Sequence, residues 1–133
     1  MIKIIILIIL IFRPIATLGD AINYQNTAEA NSARIENSLV RYFRMYGEPC
    51  ANIQVIKPKS WEIIETVRIC EFNGLSFQTD VADAHFSDPE FSKEGVTLQL
   101  RITPLSPTGE QKKRCFIPIE DNHIGIMACM DEY

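Results

Sequence analysis

The residues with the greatest potential for chemistry lie in one acidic stretch, TDVADAHFSDPE (79–90). This stretch combines His85, one of the two histidines in the chain, with four carboxylates, Asp80, Asp83, Asp88 and Glu90. Such groups can bind a metal ion or transfer protons. An EF-hand calcium loop, however, has oxygen ligands at alternate positions and a central glycine, whereas here Pro89 restricts the backbone and the next glycine is Gly95. We therefore predict a solvated loop between strands, with a cation site and a protein-binding acidic loop as alternatives.

A catalytic centre needs more than this stretch supplies. A transition-metal site would require a second histidine or a thiolate, and the other histidine, His123, could approach only through the fold. No serine lies in a G-x-S-x-G motif, and the six glycines form no phosphate-binding loop. We predict no enzymatic activity, no cofactor and no metal. A small hydrolase or metal-dependent enzyme that uses His85 and its neighbouring carboxylates is the alternative.

Two further features could bind a partner. The basic cluster Lys112, Lys113 and Arg114 is typical of a solvated strand edge, but it could also form half of a docking surface opposite in sign to the acidic stretch. Trp61 is the single tryptophan, and tryptophan is frequent among residues that dominate interface energetics. Core packing is the more ordinary use of such a side chain.

The four cysteines, Cys50, Cys70, Cys115 and Cys129, indicate a disulfide framework. Four cysteines allow three pairings. The segments 50–70 and 115–129 each resemble two apolar strands around a polar turn, with a cysteine at both outer ends. This pattern favours Cys50–Cys70 and Cys115–Cys129, each closing a loop that stabilises the fold by roughly 3 kcal/mol. Zinc binding is disfavoured because no C-x-x-C pair is present.

The N-terminus has the layout of a secretory signal peptide. Lys3 precedes an unbroken apolar run, 4–12, and small residues follow before position 22. The run is too short to span a bilayer, which takes roughly 20 apolar residues. We therefore expect segment 1–21 to be cleaved, leaving a single disulfide-stabilised domain, 22–133, that is secreted or periplasmic and not inserted in a membrane.

Patterning along that domain predicts one helix followed by strands. Ile35, Leu39, Phe43 and Tyr46 recur at helical spacing within 26–47. Beyond residue 51 the apolar period becomes two, most clearly at Val96, Leu98, Leu100 and Ile102. Asn73-Gly74 indicates a β-hairpin in which 68–72 pairs with 75–79. We predict an α+β fold in which an N-terminal amphipathic helix packs on an antiparallel sheet of about five to six strands. A small β-sandwich with an accessory helix is the alternative.

This order of elements, with two disulfides local in sequence, is similar to the layout of secreted cystatins. The similarity is one of layout: the segment NIQVIKPK lacks the expected glutamine-valine-glycine motif, and Trp61 follows serine instead of proline. The hypothesis with the widest support is a secreted or periplasmic protein-binding module, such as an inhibitor, an immunity-type protein or a host-directed virulence effector. A subunit of a surface, secretion or pilus-type assembly is the alternative.

Charge restricts the choice of partner. The chain has a formal net charge of −4, and loss of Lys3 and Arg13 with a signal peptide would make it more acidic. Nucleic acid is disfavoured because its binding depends on lysine and arginine contacts to phosphates. We expect another protein as the partner, bound by a monomer or homodimer.

Overall fold

The computed structural model describes residues 22–132, and this part of the chain is almost entirely β-structure. The predicted signal peptide, 1–21, lies outside the described residues. One 3-10 turn, Tyr24–Asn26, precedes eleven strands: β1 (Thr27–Ile35), β2 (Ser38–Met45), β3 (Ala51–Ile56), β4 (Ile63–Ile69), β5 (Glu71–Phe72), β6 (Leu75–Ser76), β7 (Val81–Phe91), β8 (Gly95–Pro104), β9 (Gln111–Glu120), β10 (His123–Ile124) and β11 (Ala128–Asp131). No helix within 22–132 has the length and apolar character needed to cross a membrane.

Two antiparallel sheets are each built from neighbours in sequence. The first has the order β1-β2-β3-β4. The second has the order β7-β8-β9, and both β10 and β11 pair with the far edge of β9. Between the two sheets in sequence lies the two-stranded hairpin β5–β6. The predicted α+β fold class is therefore wrong, and the helix of the β-sandwich alternative is also absent from the described residues.

The segment predicted as a helix is the hairpin β1–β2. Its strands pair from Thr27–Met45 to Ile35–Ser38, and Glu36 adopts a left-handed φ of 52° in the turn. In β2 the side chains alternate between the core and the opposite face, since Val40 and Tyr42 are buried in the core. β1 is rich in alanine and polar residues, which have little strand preference, so pairing with β2 overrides local propensity. The cystatin-like layout is lost with the helix.

The prediction of a solvated loop for the acidic stretch is also wrong. Residues 81–91 form strand β7, the edge of the second sheet, and not a solvated loop. Ala84 and Phe86 point into the core while His85 between them pairs with Arg101 on the outer face. This alternation of small or aromatic residues with polar ones is a strand pattern that the high charge of the segment concealed.

Several local predictions are confirmed. Asn73 and Gly74 have left-handed φ values of 49° and 76°, as a two-residue hairpin turn requires. That hairpin is shorter than expected, because only two residue pairs form. β8 alternates as predicted, with Val96, Leu98, Leu100 and Ile102 buried.

Both disulfides join the expected cysteines. Cys50–Cys70 closes the β3–β4 hairpin, and Cys115–Cys129 links directly paired residues of β9 and β11. No free cysteine occurs among the described residues. Two disulfides are typical of proteins of an oxidising compartment.

The last predicted strand is interrupted. Its residues form β10 and β11, separated by 125–127, opposite Pro118 of β9. Pro118 has no N–H to donate, but its carbonyl accepts the N–H of Gly125 at 2.7 Å. A strand that contains proline is expected either at a sheet edge or at a bulge. β9 has neighbours on both sides and is not an edge, and the interruption of the ladder on one side accommodates the proline.

One hydrophobic core joins the two sheets. Val40, Ile53 and Val55 of the first sheet belong to the same buried cluster as Phe86 and Leu98 of the second. Two polar contacts add to this packing at the β9–β10 turn. The Ser38 hydroxyl donates to the Asn122 side chain, and the Glu65 carboxylate accepts the Ile124 N–H at 3.1 Å. These contacts position β10 over the inner face of β3 and β4.

The outer face of the first sheet is covered by the N-terminal turn. The Tyr24 ring packs 5.7 Å from that of Phe43, and its hydroxyl accepts a hydrogen bond from Gln54. The Gln54 side-chain oxygen in turn accepts two hydrogen bonds from Arg41. Because these partners satisfy its amide, Gln54 can be fully buried.

Candidate functional site

The acidic residues of β7 serve different local structures. Asp80 precedes the strand and closes a turn, where its carboxylate accepts the Ser76 N–H at 2.8 Å. Asp83 pairs with Thr103, next to His85 and Arg101 on the outer face of the second sheet. Asp83 alone of these two acids therefore lies beside His85, whereas Asp80 is engaged in the turn.

The remaining acids lie at a β-bulge. The register of β7 shifts between Ser87 and Glu90, and Asp88 there has a left-handed φ of 53°. The Glu90 carboxylate binds the Arg114 guanidinium at 3.0 Å across the outer face. These features give β7 an irregular, charged edge.

The basic cluster divides between two environments. Lys112 and Arg114 lie on the outer face, opposite Arg101 and Gln99. Lys113 points the other way: its ammonium group binds Asp131 at 2.6 Å and lies 5.2 Å from the centre of the Phe72 ring. Lys112 and Arg114 thus share the outer face with acidic residues of β7, and Arg114 forms an ion pair with Glu90 there.

The two histidines are far apart. His85 lies on β7 and His123 on β10, at opposite edges of the second sheet. Three strand spacings separate these edges, or roughly 14 Å. His123 Nδ1 lies 3.4 Å from the Glu65 carboxylate, which already accepts the Ile124 N–H. Within 22–132, no three potential metal-ligating side chains from His, Cys, Asp and Glu come together.

Trp61 is exposed to solvent instead of packed in the core. It occupies the β3–β4 turn with a left-handed φ of 59°, and 70% of its surface is accessible. The backbone N–H of Trp61 donates to the Lys57 carbonyl, and the backbone N–H of Lys57 donates to the Glu62 carbonyl, both at 2.9 Å. These bonds hold a bulky residue in a backbone conformation that such residues rarely adopt. The turn therefore presents the indole outward.

An apolar concave surface lies elsewhere, between β4 and the β10–β11 segment. This groove has a volume of about 910 Å³, and residues 67–73, Ser76 and 124–129 line it. Its apolar side chains come from three parts of the chain: Val67 and Ile69, Phe72, and Ile124, Ile126 and Met127. Ile126 is 91% exposed, the most exposed large apolar side chain in the described residues.

Covalent and backbone constraints hold the groove in shape. Cys70 and Cys129, one from each disulfide, line it on opposite sides. A Cβ atom on Gly125 would lie 2.5 Å from the Pro118 side chain, so this position requires glycine for the close approach. An apolar surface held in this way loses little conformational entropy when a ligand binds.

Charges at the rim of the groove are unequal. Arg68 forms an ion pair with Glu48 at 2.9 Å. Glu71 is exposed and has no ion pair among residues 22–132. The rim therefore carries one uncompensated negative charge beside an apolar floor.

On the side of the molecule where β1 contacts β7, a tyrosine is buried beneath the surface. Tyr42 is fully buried there, and neither its hydroxyl nor Arg44 Nε has a hydrogen-bond partner among the described residues. Burial raises the pKa of Tyr42 to about 12, and the nearby Glu29 carboxylate also raises it, while the Arg44 guanidinium opposes both. Arg44 is 3.6 Å from Glu29, which pairs the charges of β1 and β2.

The sequence did not predict the groove because its walls come from segments about fifty positions apart. The exposed apolar residues Ile126 and Met127 lay within a predicted strand, and nothing local marked them as a surface. Comparison with family models, curated proteins and solved structures finds no match to this chain.

Proposed function

We propose that the chain is a secreted or periplasmic protein-binding module that acts by surface recognition and not by catalysis, in the manner of an inhibitor, an immunity-type protein or a host-directed effector. The carrying observation is the groove between β4 and β10–β11. It combines an apolar floor, an exposed Ile126 and walls that each include a cysteine of one disulfide. Exposed apolar patches with polar rims are characteristic of protein interaction sites.

The energetics of recognition agree with this proposal. Burying a side chain such as isoleucine contributes about 1.5–3 kcal/mol. Ile126 and Met127 project from a segment that the Gly125–Pro118 hydrogen bond and the Cys129 disulfide constrain, so less of that free energy is lost in ordering the backbone on binding. The outer face of the second sheet is a weaker candidate, because the Arg114–Glu90 ion pair there is exposed and such pairs contribute little.

Recovery of a partner from the source compartment tests the proposal. The tagged full-length chain is compared with Ile126→Asp and with the control Leu105→Asp, since Leu105 is 69% exposed in the β8–β9 loop, away from the groove. The native chain and the control should recover one stoichiometric protein, and Ile126→Asp should lose it. Equal recovery by all three chains, or recovery of no protein, would refute the proposal.

An assembly subunit is the second candidate, and the free edge of β4 favours it. Within residues 22–132, β4 pairs with β3 alone. An open strand edge can add another chain. A subunit of this kind should form oligomers that grow with protein concentration in analytical ultracentrifugation, whereas a binding module should remain a monomer or dimer.

A further inference from the structure

The edge of β4 and the groove are continuous. β4 runs from Ile63, beside the exposed Trp61, to Ile69, which lines the groove. Ile63 and Ile64 are also exposed to solvent. The strand contains no proline, and its one bulge, between Val55 and Ile56 of the partner strand β3, lies near its start. Its unpaired side therefore offers main-chain donors and acceptors along a partly apolar edge.

The other long free edges are protected. β7 has a bulge at Asp88, a proline at position 89 and the charged Glu90. β1 is mostly polar and contacts β7. Prolines, bulges and charges at an edge prevent the addition of another strand. The contrast singles out β4 as the edge that can receive one.

Charge specifies what would bind beside β4. Arg68 is neutralised by Glu48, Lys57 pairs with Glu62, and Glu71 has no cationic partner in the described part of the chain. An incoming strand with a lysine or arginine near Glu71 would supply the missing charge. Its alternate side chains would point into the groove, because successive residues of a strand face opposite sides.

We propose that β4 binds an extended segment of the partner protein by strand addition, and that this segment has apolar residues at alternate positions and a lysine or arginine at the end beside Glu71. The inference rests on the proposed function and specifies its ligand. Main-chain hydrogen bonds to β4 supply affinity in this mode, and the groove supplies specificity through the side chains it accepts.

The probe is a displayed library of random peptides of about nine residues, long enough to cover β4. Selection uses the full-length chain, with counter-selection against Ile126→Asp. Peptides with alternating apolar residues and a terminal lysine or arginine should be enriched, and their affinity should fall with salt. Failure to enrich any peptide, or enrichment of acidic or non-alternating ones, would overturn the inference.

Two matched comparisons on the best peptide separate strand addition from simple apolar contact. Methylation of alternate backbone nitrogens should weaken binding by more than about tenfold, because it removes several hydrogen bonds. Glu71→Lys should weaken binding by about threefold to tenfold, while the control Glu110→Lys, an exposed loop residue, should not. Equal binding of the methylated peptide would reject strand addition.

The outcomes also distinguish this inference from the proposed function. A native partner that requires Ile126, together with peptides that tolerate backbone methylation, would leave the groove as the binding site and remove only the strand. A native partner that is indifferent to Ile126→Asp would reject the proposed site itself.

Discussion

The free edges of β7 and β4 have opposite characters. β7, in the second sheet, has a bulge, a proline and an ion pair from Glu90 to Arg114. β4, in the first sheet, is nearly regular, exposes Ile63 and Ile64 and leads into an apolar groove. Both edges belong to one domain with one core, so the overall stability of the domain does not explain why only one of them is protected. It indicates that one side of the molecule is closed to other chains and the other is open.

The largest expected effect concerns the scaffold that both edges share. A Cβ atom on Gly95 of β8 would lie 2.1 Å from the Ile117 carbonyl oxygen of β9, so backbone would have to move. We expect Gly95→Ala to lower the free energy of unfolding by about 4 kcal/mol, in the range of severe substitutions.

Gly109→Ala is the matched control, because Gly109 also has a positive φ but has no atom near the added methyl group. Its cost should be about 1 kcal/mol, from backbone strain alone. Urea unfolding measures both. Equal losses of stability in the two variants would show that the close approach of Gly95 to Ile117 does not stabilise the domain.

The next effect separates the open side from the closed side. Replacing Cys50 and Cys70 by alanine removes a link across 20 residues that joins the start of β3 to the end of β4 at the open end of the hairpin. We expect a loss of roughly 3 kcal/mol in urea unfolding. Amide hydrogen exchange should accelerate first in β4, while β7, which has no disulfide, keeps its protection. Simultaneous loss in β4 and β7 would contradict an independent open side.

Tyr42 tests the closed side through pH. An unfolded tyrosine loses its proton near pH 10, but Tyr42 in the folded protein retains its proton up to about pH 12. Between these values the folded state holds more protons than the unfolded state, so stability falls as pH rises. The full loss corresponds to about 3 kcal/mol.

Tyr42→Phe should abolish this loss and cost little at pH 7, because the hydroxyl has no hydrogen-bond partner in the described residues. Tyr46→Phe is the control, since Tyr46 is exposed. Thermal unfolding at pH 7, 10 and 11 measures all three proteins. An alkaline loss that persists in Tyr42→Phe would assign it to another group.

The smallest effect on stability comes from weakening the protection of β7. Pro89→Val should change the free energy of unfolding by less than about 0.5 kcal/mol. It should, however, increase self-association in sedimentation velocity, because the edge becomes a better template for pairing. Pro107→Val, in the β8–β9 loop, should leave association unchanged. If neither variant associates, the bulge and charges alone are sufficient to protect β7.

Local signals in the sequence predicted the parts of this fold that local interactions determine. The Asn73-Gly74 turn and the alternation of β8 needed no distant partner. The disulfide pairing followed because each pair of cysteines encloses a hairpin. These features could be predicted since the residues that form them are neighbours along the chain.

The errors arose where distant contacts decide the structure. Ile35, Leu39 and Phe43 do recur at helical spacing, but Val40 and Tyr42 must face a core supplied by the second sheet. Likewise, the groove exists only because residues 67–72 meet residues 124–129. The charges around His85 suggested a site, whereas the pairing of β7 with β8 disperses them over one face. Such contacts have no local sequence signature.

Neither disulfide crosses from one sheet to the other. Cys50–Cys70 lies wholly within the first half of the domain, and Cys115–Cys129 lies wholly within the second. A single peptide bond cut between Phe77 and Asp80 would therefore yield two pieces with no covalent link, held together only by their buried interface. Each piece would keep its own cross-link, so reassembly of the domain from the two pieces would depend on noncovalent packing of the shared core alone.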